Sequence, residues 1–393
     1  MLKFAQFLYE STEDDGEMHP YLQFLTSPHG IPDDPSLHES TIIPIHQMQP
    51  AGKNPLRAAK QAFDHIGNGN NPHTGQPMPS YGSKEYKKMV ADAHARLREK
   101  HGVDPKNLLA GNKKLRDSTG EHILDKNGKQ VFSQGLSLSP ADDRHGINTC
   151  PKASAECKNV CLAHTAGAMA RAKAIQDAKK RKTDALFKSP EDMAIALHHH
   201  INKEERAADK DGTYSYSVRM NTTSDIPQTV YHGLRKAHPD TQFYDYTKEH
   251  KQVLHNLQHK DEPGHKNLHL TFSSTGVHHE ESNWNHCREV LKAGGNVAMV
   301  SRSKNAIKGK SQNSANELPH TVHDTDTGEK WPTLDGDGRS HDLDGHGDAR
   351  FLDKPGHVVM LHLKGVNPKQ AGNFAVPHGP DRIAHVSGKK TKD

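Results

Sequence analysis

Aromatic residues are scarce in this chain of 393, at 5%, and hydrophobic residues as a whole make up only 32%. So lean a composition predicts a modest core with sizeable exposed or loop-rich stretches. Cysteine is rarer still. Four in a chain this long do not make a disulfide framework. No run of 18 apolar residues occurs, so no membrane-spanning helix is expected. The opening "MLKFAQFLYESTEDDGEMHP" turns acidic after a short apolar patch and lacks the basic-apolar-small pattern of a secretory signal. These absences predict a cytoplasmic protein, whose thiols stay reduced and available to metals. Strong charge is missing as well. The 52 Lys and Arg against 48 Asp and Glu leave +4, too balanced by itself to argue for nucleic acid.

Histidine is abundant, with 32 copies, many in polar runs such as His198–His200. Most are expected to be solvated, with only a few as ligands. Residues 1–130 read as a loosely packed N-terminal extension with scattered Pro and Gly. Two stretches within it are helix-like, "NPLRAAKQAFDHI" and "SKEYKKMVADAHARLREKHG". The second has a start signal in Ser83 and a stop signal in Gly102. "STGEHILDKNGKQVF" reads as a hairpin turning at "KNG".

From about residue 134 strands and helices alternate. "GLSLSP", "YSYSVRMN", "TQFYDYT", "LHLTFSS", "NVAMVSR" and "HVVMLHLKG" are strands, and helical patterns stand between most of them. This rhythm predicts an α/β domain over 131–370, with parallel strands joined by crossover helices. An open doubly wound sheet and a partial or full β/α barrel both fit. No Gly-x-Gly-x-x-Gly follows a first strand, which weakens a dinucleotide-binding reading. Residues 303–356 read as an inserted polar loop, and 371–393 as a polar tail.

Three of the four cysteines fall within "CPKASAECKNVC", spaced Cys150-x6-Cys157-x3-Cys161, after the first strand of that series. The carboxyl end of a strand is where parallel α/β folds gather their active sites. Three close thiolates suit an iron–sulfur cluster with one iron left open. With His164 as a fourth ligand they suit zinc instead. Cys287, far along the chain in a helical stretch, reads as a buried bystander. Other strand ends carry polar groups: Arg219, Asn221, Ser224 and Asp225 after one strand, Thr247 and Lys248 after the next, and Thr271 within "LHLTFSS". Each suits a cap or a solvated turn on its own. Together they predict a rim for an anionic or zwitterionic cofactor and a substrate.

"LDGDGRSHDLDGHGDARFLD" alternates Asp with small residues but lacks the terminal Glu of a calcium-binding loop. It reads as a flexible loop from which Asp337 and Arg350 reach the rim. The helix "RAKAIQDAKKRK" carries six Lys or Arg in twelve positions, which fits a solvated face or a nucleic-acid contact.

The segments "LSLSPAD", "CPKASAECKNVCL", "VRMNTTSDI", "FYDYTK", "LTFS", "GGNVAMV" and "DGD…D.RF.D..G", in this order over about residues 134–365, resemble the phage gene product 88 family. The order of cysteine cluster, "N-x-x-S-D-I", "Y-T-K" and "T-F-S" is more distantly similar to phage Gp37/Gp68-like proteins. Through them it is similar to the radical S-adenosylmethionine (SAM) barrel that includes spore photoproduct lyase. That resemblance implies a partial, TIM-like β/α barrel, in which Cys150, Cys157 and Cys161 ligate a 4Fe–4S cluster that chelates SAM. It places Asn221, Ser224 and Asp225 near the cofactor. Arg219 and Lys248 are then expected to hold carboxylate or phosphate groups, with Thr271 on the same rim. The cysteine spacing differs from the Cys-x3-Cys-x2-Cys of most such enzymes. The expectation is a phage iron–sulfur enzyme of radical SAM type, in the host-cell cytoplasm, acting on a small-molecule, nucleotide or nucleic-acid substrate. The alternative is a zinc-stabilised binding protein without catalysis.

Overall fold

The structure is a computed structural model that describes residues 55–111, 120–125, 127–141, 148–165, 172–277, 282–303, 318–336, 355–363, 371–378 and 381–388. Helix α1 (Pro55–Gly67) buries Leu56, Ala59, Ala62, Phe63 and Ile66, a stripe at helical spacing. Helix α2 (Lys84–His101) starts where Ser83 accepts a hydrogen bond from the Tyr86 N–H. It stops at Gly102, whose φ of 60° suits glycine, as the start and stop signals predict. Both helices reach the main core: Phe63, Ile66 and Leu97 pack with Leu136, Leu186 and Leu234. The expected loose packing of the N-terminal stretch therefore fails for 55–101.

Strands β1 (Leu109–Ala110) and β2 (Gly120–Leu124) pair antiparallel with β3 (Gln130–Leu136). The hairpin turning at "KNG" thus exists, and its second arm is also the first parallel strand. Short helices α3 (Ala155–Asn159) and α4 (Leu162–Thr165) carry the cysteine segment. The long helices α5 (Lys173–Lys188) and α6 (Pro190–Asp211) follow. Then come β4 (Tyr214–Arg219), α7 (His232–Ala237), β5 (Gln242–Thr247), α8 (His250–Gln258), β6 (Leu268–Ser273), α9 (Trp284–Lys292) and β7 (Asn296–Ser303). Strands β8 (Thr321–Asp324), β9 (Lys330–Asp335), β10 (Val358–His362), β11 (Ala375–His378) and β12 (Ile383–Val386) complete the chain. No described helix is long and apolar enough to cross a membrane.

Strands β3, β4, β5, β6, β7 and β10 lie side by side in chain order, all parallel. Their apolar residues face helices through Val218, Phe243, Phe272, Val297 and Met360. The closed structure is a different one. Strand β7 pairs with β6 through Asn296–Ala298 and with β11 through Val300–Ser303, while β10 takes its other edge. A ring β7-β10-β9-β8-β12-β11 results, a six-strand barrel of mixed direction. The α/β expectation holds, but a purely parallel TIM-like barrel does not describe this sheet. The expected inserted loop contributes the hairpin β8–β9, and the expected polar tail the hairpin β11–β12; each hairpin takes its remaining partners from distant strands of the barrel. Asp324, fully buried on β8, ties the two parts together. It accepts a hydrogen bond from Trp284 Nε1 at 2.9 Å and pairs with Arg288 at 3.0 Å, both on α9.

Candidate functional site

The carboxyl ends of β3, β4 and β5 meet at the cysteine segment. At the end of β4 the chain makes a compact loop tied by one side chain. Asn221 Oδ1 accepts from the Ser224 hydroxyl at 2.9 Å and the Ile226 N–H at 3.1 Å, while its Nδ2 donates to the Ile226 carbonyl at 2.9 Å. The loop presents Asp225 between two neighbours. The Asp225 N–H donates to the Thr149 carbonyl at 2.7 Å, just before Cys150. Its carboxylate accepts from the Lys248 N–H at 2.9 Å, past β5. Asp225 therefore joins the cysteine loop to the ends of β4 and β5. Its carboxyl lies above the usual range because burial outweighs Lys248, Thr247 and Arg219.

The three thiols share the neighbourhood of Lys248. Burial alone would lower its ammonium, but Cys157, Asp225 and Cys150 outweigh burial and hold it above the ordinary lysine value. Burial and then the Asp225 charge push the Cys150 thiol up to about 12. Burial raises Cys161, against the pull of Lys179 and Lys248. Ser154 caps α3 by accepting from the Cys157 N–H at 3.1 Å, which fixes that residue's backbone.

Single-ion zinc sites have Zn–S bonds of about 2.3 Å, so their sulfurs stand roughly 4 Å apart. Among the described residues, no set of three ligand atoms within 4.8 Å of one another includes a cysteine. His164 is exposed on α4. The expected Cys3His arrangement is thus not gathered. A 4Fe–4S cluster binds its thiolates on separate irons, farther apart than the sulfurs of a single zinc site.

The remaining predicted residues divide. Arg219 sits over the Tyr246 ring, 4.6 Å from its centroid, and lies 3.6 Å from Asp245. It braces β5. Thr271 is buried in β6, in register with Tyr246, and does not line the cleft described below. Cys287 is fully buried in α9, its thiol raised by burial, as expected of a bystander. Asp337 and Arg350 lie outside the described residues, as does Arg171. On the basic helix α5, Lys173 and Lys188 pair with Asp177 and Asp184, while Lys179 and Lys182 approach the carbonyls of Ala163 and Leu108. Four of its cations are thereby engaged within the chain.

Sequence reasoning missed the cleft beside this centre. It measures about 460 Å³, and Lys152, Ser154, Lys248, Glu249, His250 and His286 are among its lining. Burial pushes Glu249 up to about 7, with Lys152 opposing. Beneath it, burial takes Asp245 up to about 6 against Arg219, Gln228 and the Asn221 N–H. The signal for Asp245 was present: an acid inside an otherwise apolar strand, on the face shared with Thr247.

The sequence profile of gene product 88 matches residues 106–372, more than half of the chain. The chain belongs to the gene product 88 family. The cysteine segment, the Asn221–Ile226 loop, Lys248 and the cleft all fall inside the matched region of this gene product 88 protein. No curated protein and no solved structure matches it.

Proposed function

We propose that this gene product 88 protein is an iron–sulfur enzyme of radical SAM type, with Cys150, Cys157 and Cys161 as the cluster ligands. The observation that carries the reading is the Asp225 bridge, which holds the cysteine segment at the carboxyl ends of parallel strands laid in chain order. The distant likeness to radical SAM barrels in the order of motifs supports it further. A cluster with bound SAM supplies one-electron chemistry, the reductive cleavage of a sulfonium followed by hydrogen abstraction from a substrate.

The chain's own residues have definable parts in this reading. Asn221 and Ser224 hold the loop shape. Asp225 anchors the cysteine segment to β4 and β5. Lys248 keeps a positive charge that partly offsets the burial raising Cys150 and Cys161. The cleft walled by Lys152, Lys248, His250 and His286 suits a substrate that carries negative charge, with a nucleotide as one candidate.

Anaerobic purification with iron, sulfide and zinc analysis tests the proposal. About four irons and four labile sulfides per chain are expected, lost in Cys150→Ala, Cys157→Ala or Cys161→Ala and retained in His164→Ala. Stoichiometric zinc without labile sulfide, lost in His164→Ala, would replace it with the zinc-stabilised binding protein.

A further inference from the structure

Past the cysteine segment, the cleft has a second group of metal-type donors. His250 opens α8 at the carboxyl end of β5. His286 and Glu289 stand three residues apart on α9, on one face of the helix after β6. One ligand atom from each lies within 4.8 Å of the other two. The two imidazoles stack in parallel, with centroids 3.7 Å apart and planes at 5°.

His250 Nε2 stands 3.9 Å from Glu289 Oε2. That is too long for a hydrogen bond. It is the separation expected of two donors sharing one cation, since metal bonds of about 2.0–2.2 Å set neighbouring ligand atoms roughly 3–4 Å apart. An imidazole donates through a lone pair in its ring plane, so binding one ion requires the two rings to tilt out of this stack. Both histidines line the cleft, while His286 and Glu289 are exposed, so an ion can enter from solvent.

We infer that His250, His286 and Glu289 bind one divalent first-row metal ion, of the zinc, manganese or iron(II) class. Two imidazoles and a carboxylate suit these ions, and three protein ligands leave coordination positions open. Those positions face the cleft, where Lys152 and Lys248 favour an oxyanion, carboxylate or phosphate, as the completing ligand. The ion site uses none of the cysteines and does not depend on the iron–sulfur reading.

Cobalt(II) titration of the full chain, purified with chelator and followed by visible absorption, tests this. The wild type is expected to bind one cobalt with weak ligand-field bands of nitrogen and oxygen donors. Binding should weaken at least tenfold in both His286→Ala and Glu289→Ala, whose exposed positions leave the fold intact by circular dichroism. Glu262→Ala, which breaks a surface pair with His259 elsewhere, serves as the control and is expected to titrate like the wild type. Inorganic phosphate added to the cobalt form should shift the bands. Equal binding by the wild type and both site variants, no binding at all, or a spectrum with only thiolate charge-transfer bands would overturn the site. Bands indifferent to phosphate would overturn the oxyanion assignment.

Discussion

Asn221 shows how much one side chain can organise. It is almost fully buried, and its amide satisfies both backbone groups of Ile226 along with the Ser224 hydroxyl. Asn221→Ala would leave the Ile226 N–H and carbonyl in a dry site without partners. A loss of roughly 2–4 kcal/mol is expected, read as a lower urea midpoint. Because the loop sets Asp225, the same substitution should also loosen the cysteine segment, seen as faster amide exchange at Thr149–Cys157. Unchanged exchange would mean that the Asp225 bridge does not hold the segment. The motif was legible in the sequence as a cofactor contact. In the structure its amide bonds the Ile226 backbone and the Ser224 hydroxyl, which positions the loop.

Among the elements, α1 and α7 cross so closely that only glycine fits between them. A Cβ on Gly233 would lie 2.0 Å from the Phe63 carbonyl oxygen, and one on Gly67 would lie 2.6 Å from the Gly233 Cα. Gly233→Ala is expected to force the helices apart, at a cost of about 3 kcal/mol or more, measured as a drop in thermal midpoint. Glycine at a helix crossing carries no local pattern, so the sequence offered no sign of it. The same holds for β8, β9, β11 and β12. Each is four to six residues long, and the segments around them are polar. By contrast β4 to β7 and β10 were readable, because strands covered by helices become short apolar runs.

Across the whole molecule, the histidine-rich composition acquires a consequence for acid stability. Burial takes His94, His200 and His265 down to about 4, and His198 and His232 down to about 3. Near pH 6.5 and below, the unfolded chain protonates these rings while the folded one does not, so their contribution is intact above about pH 6.5 and is lost as pH falls toward 4. Asp245 and Glu249, raised to about 6 and about 7, act in the opposite sense, since the folded state holds their protons longer. Five rings against two carboxylates predict a urea midpoint that rises from pH 4.5 to 7. A flat or falling profile would show the rings to be solvated. In Asp245→Asn the opposing carboxylate contribution is removed, and the rise should steepen.

By itself the sequence determined the α/β alternation, the caps of α2, the parallel direction of the strands, and a cysteine segment at a strand end. Each of these rests on local spacing, cap chemistry or the apolar character of covered strands. Only the tertiary structure decided that the chain closes a mixed barrel through β7, that Asp225 ties the cysteine segment to the end of β5, and that His250 meets His286 and Glu289. Those outcomes depend on which distant residues share a strand edge or a helix face, and no local pattern encodes such a pairing.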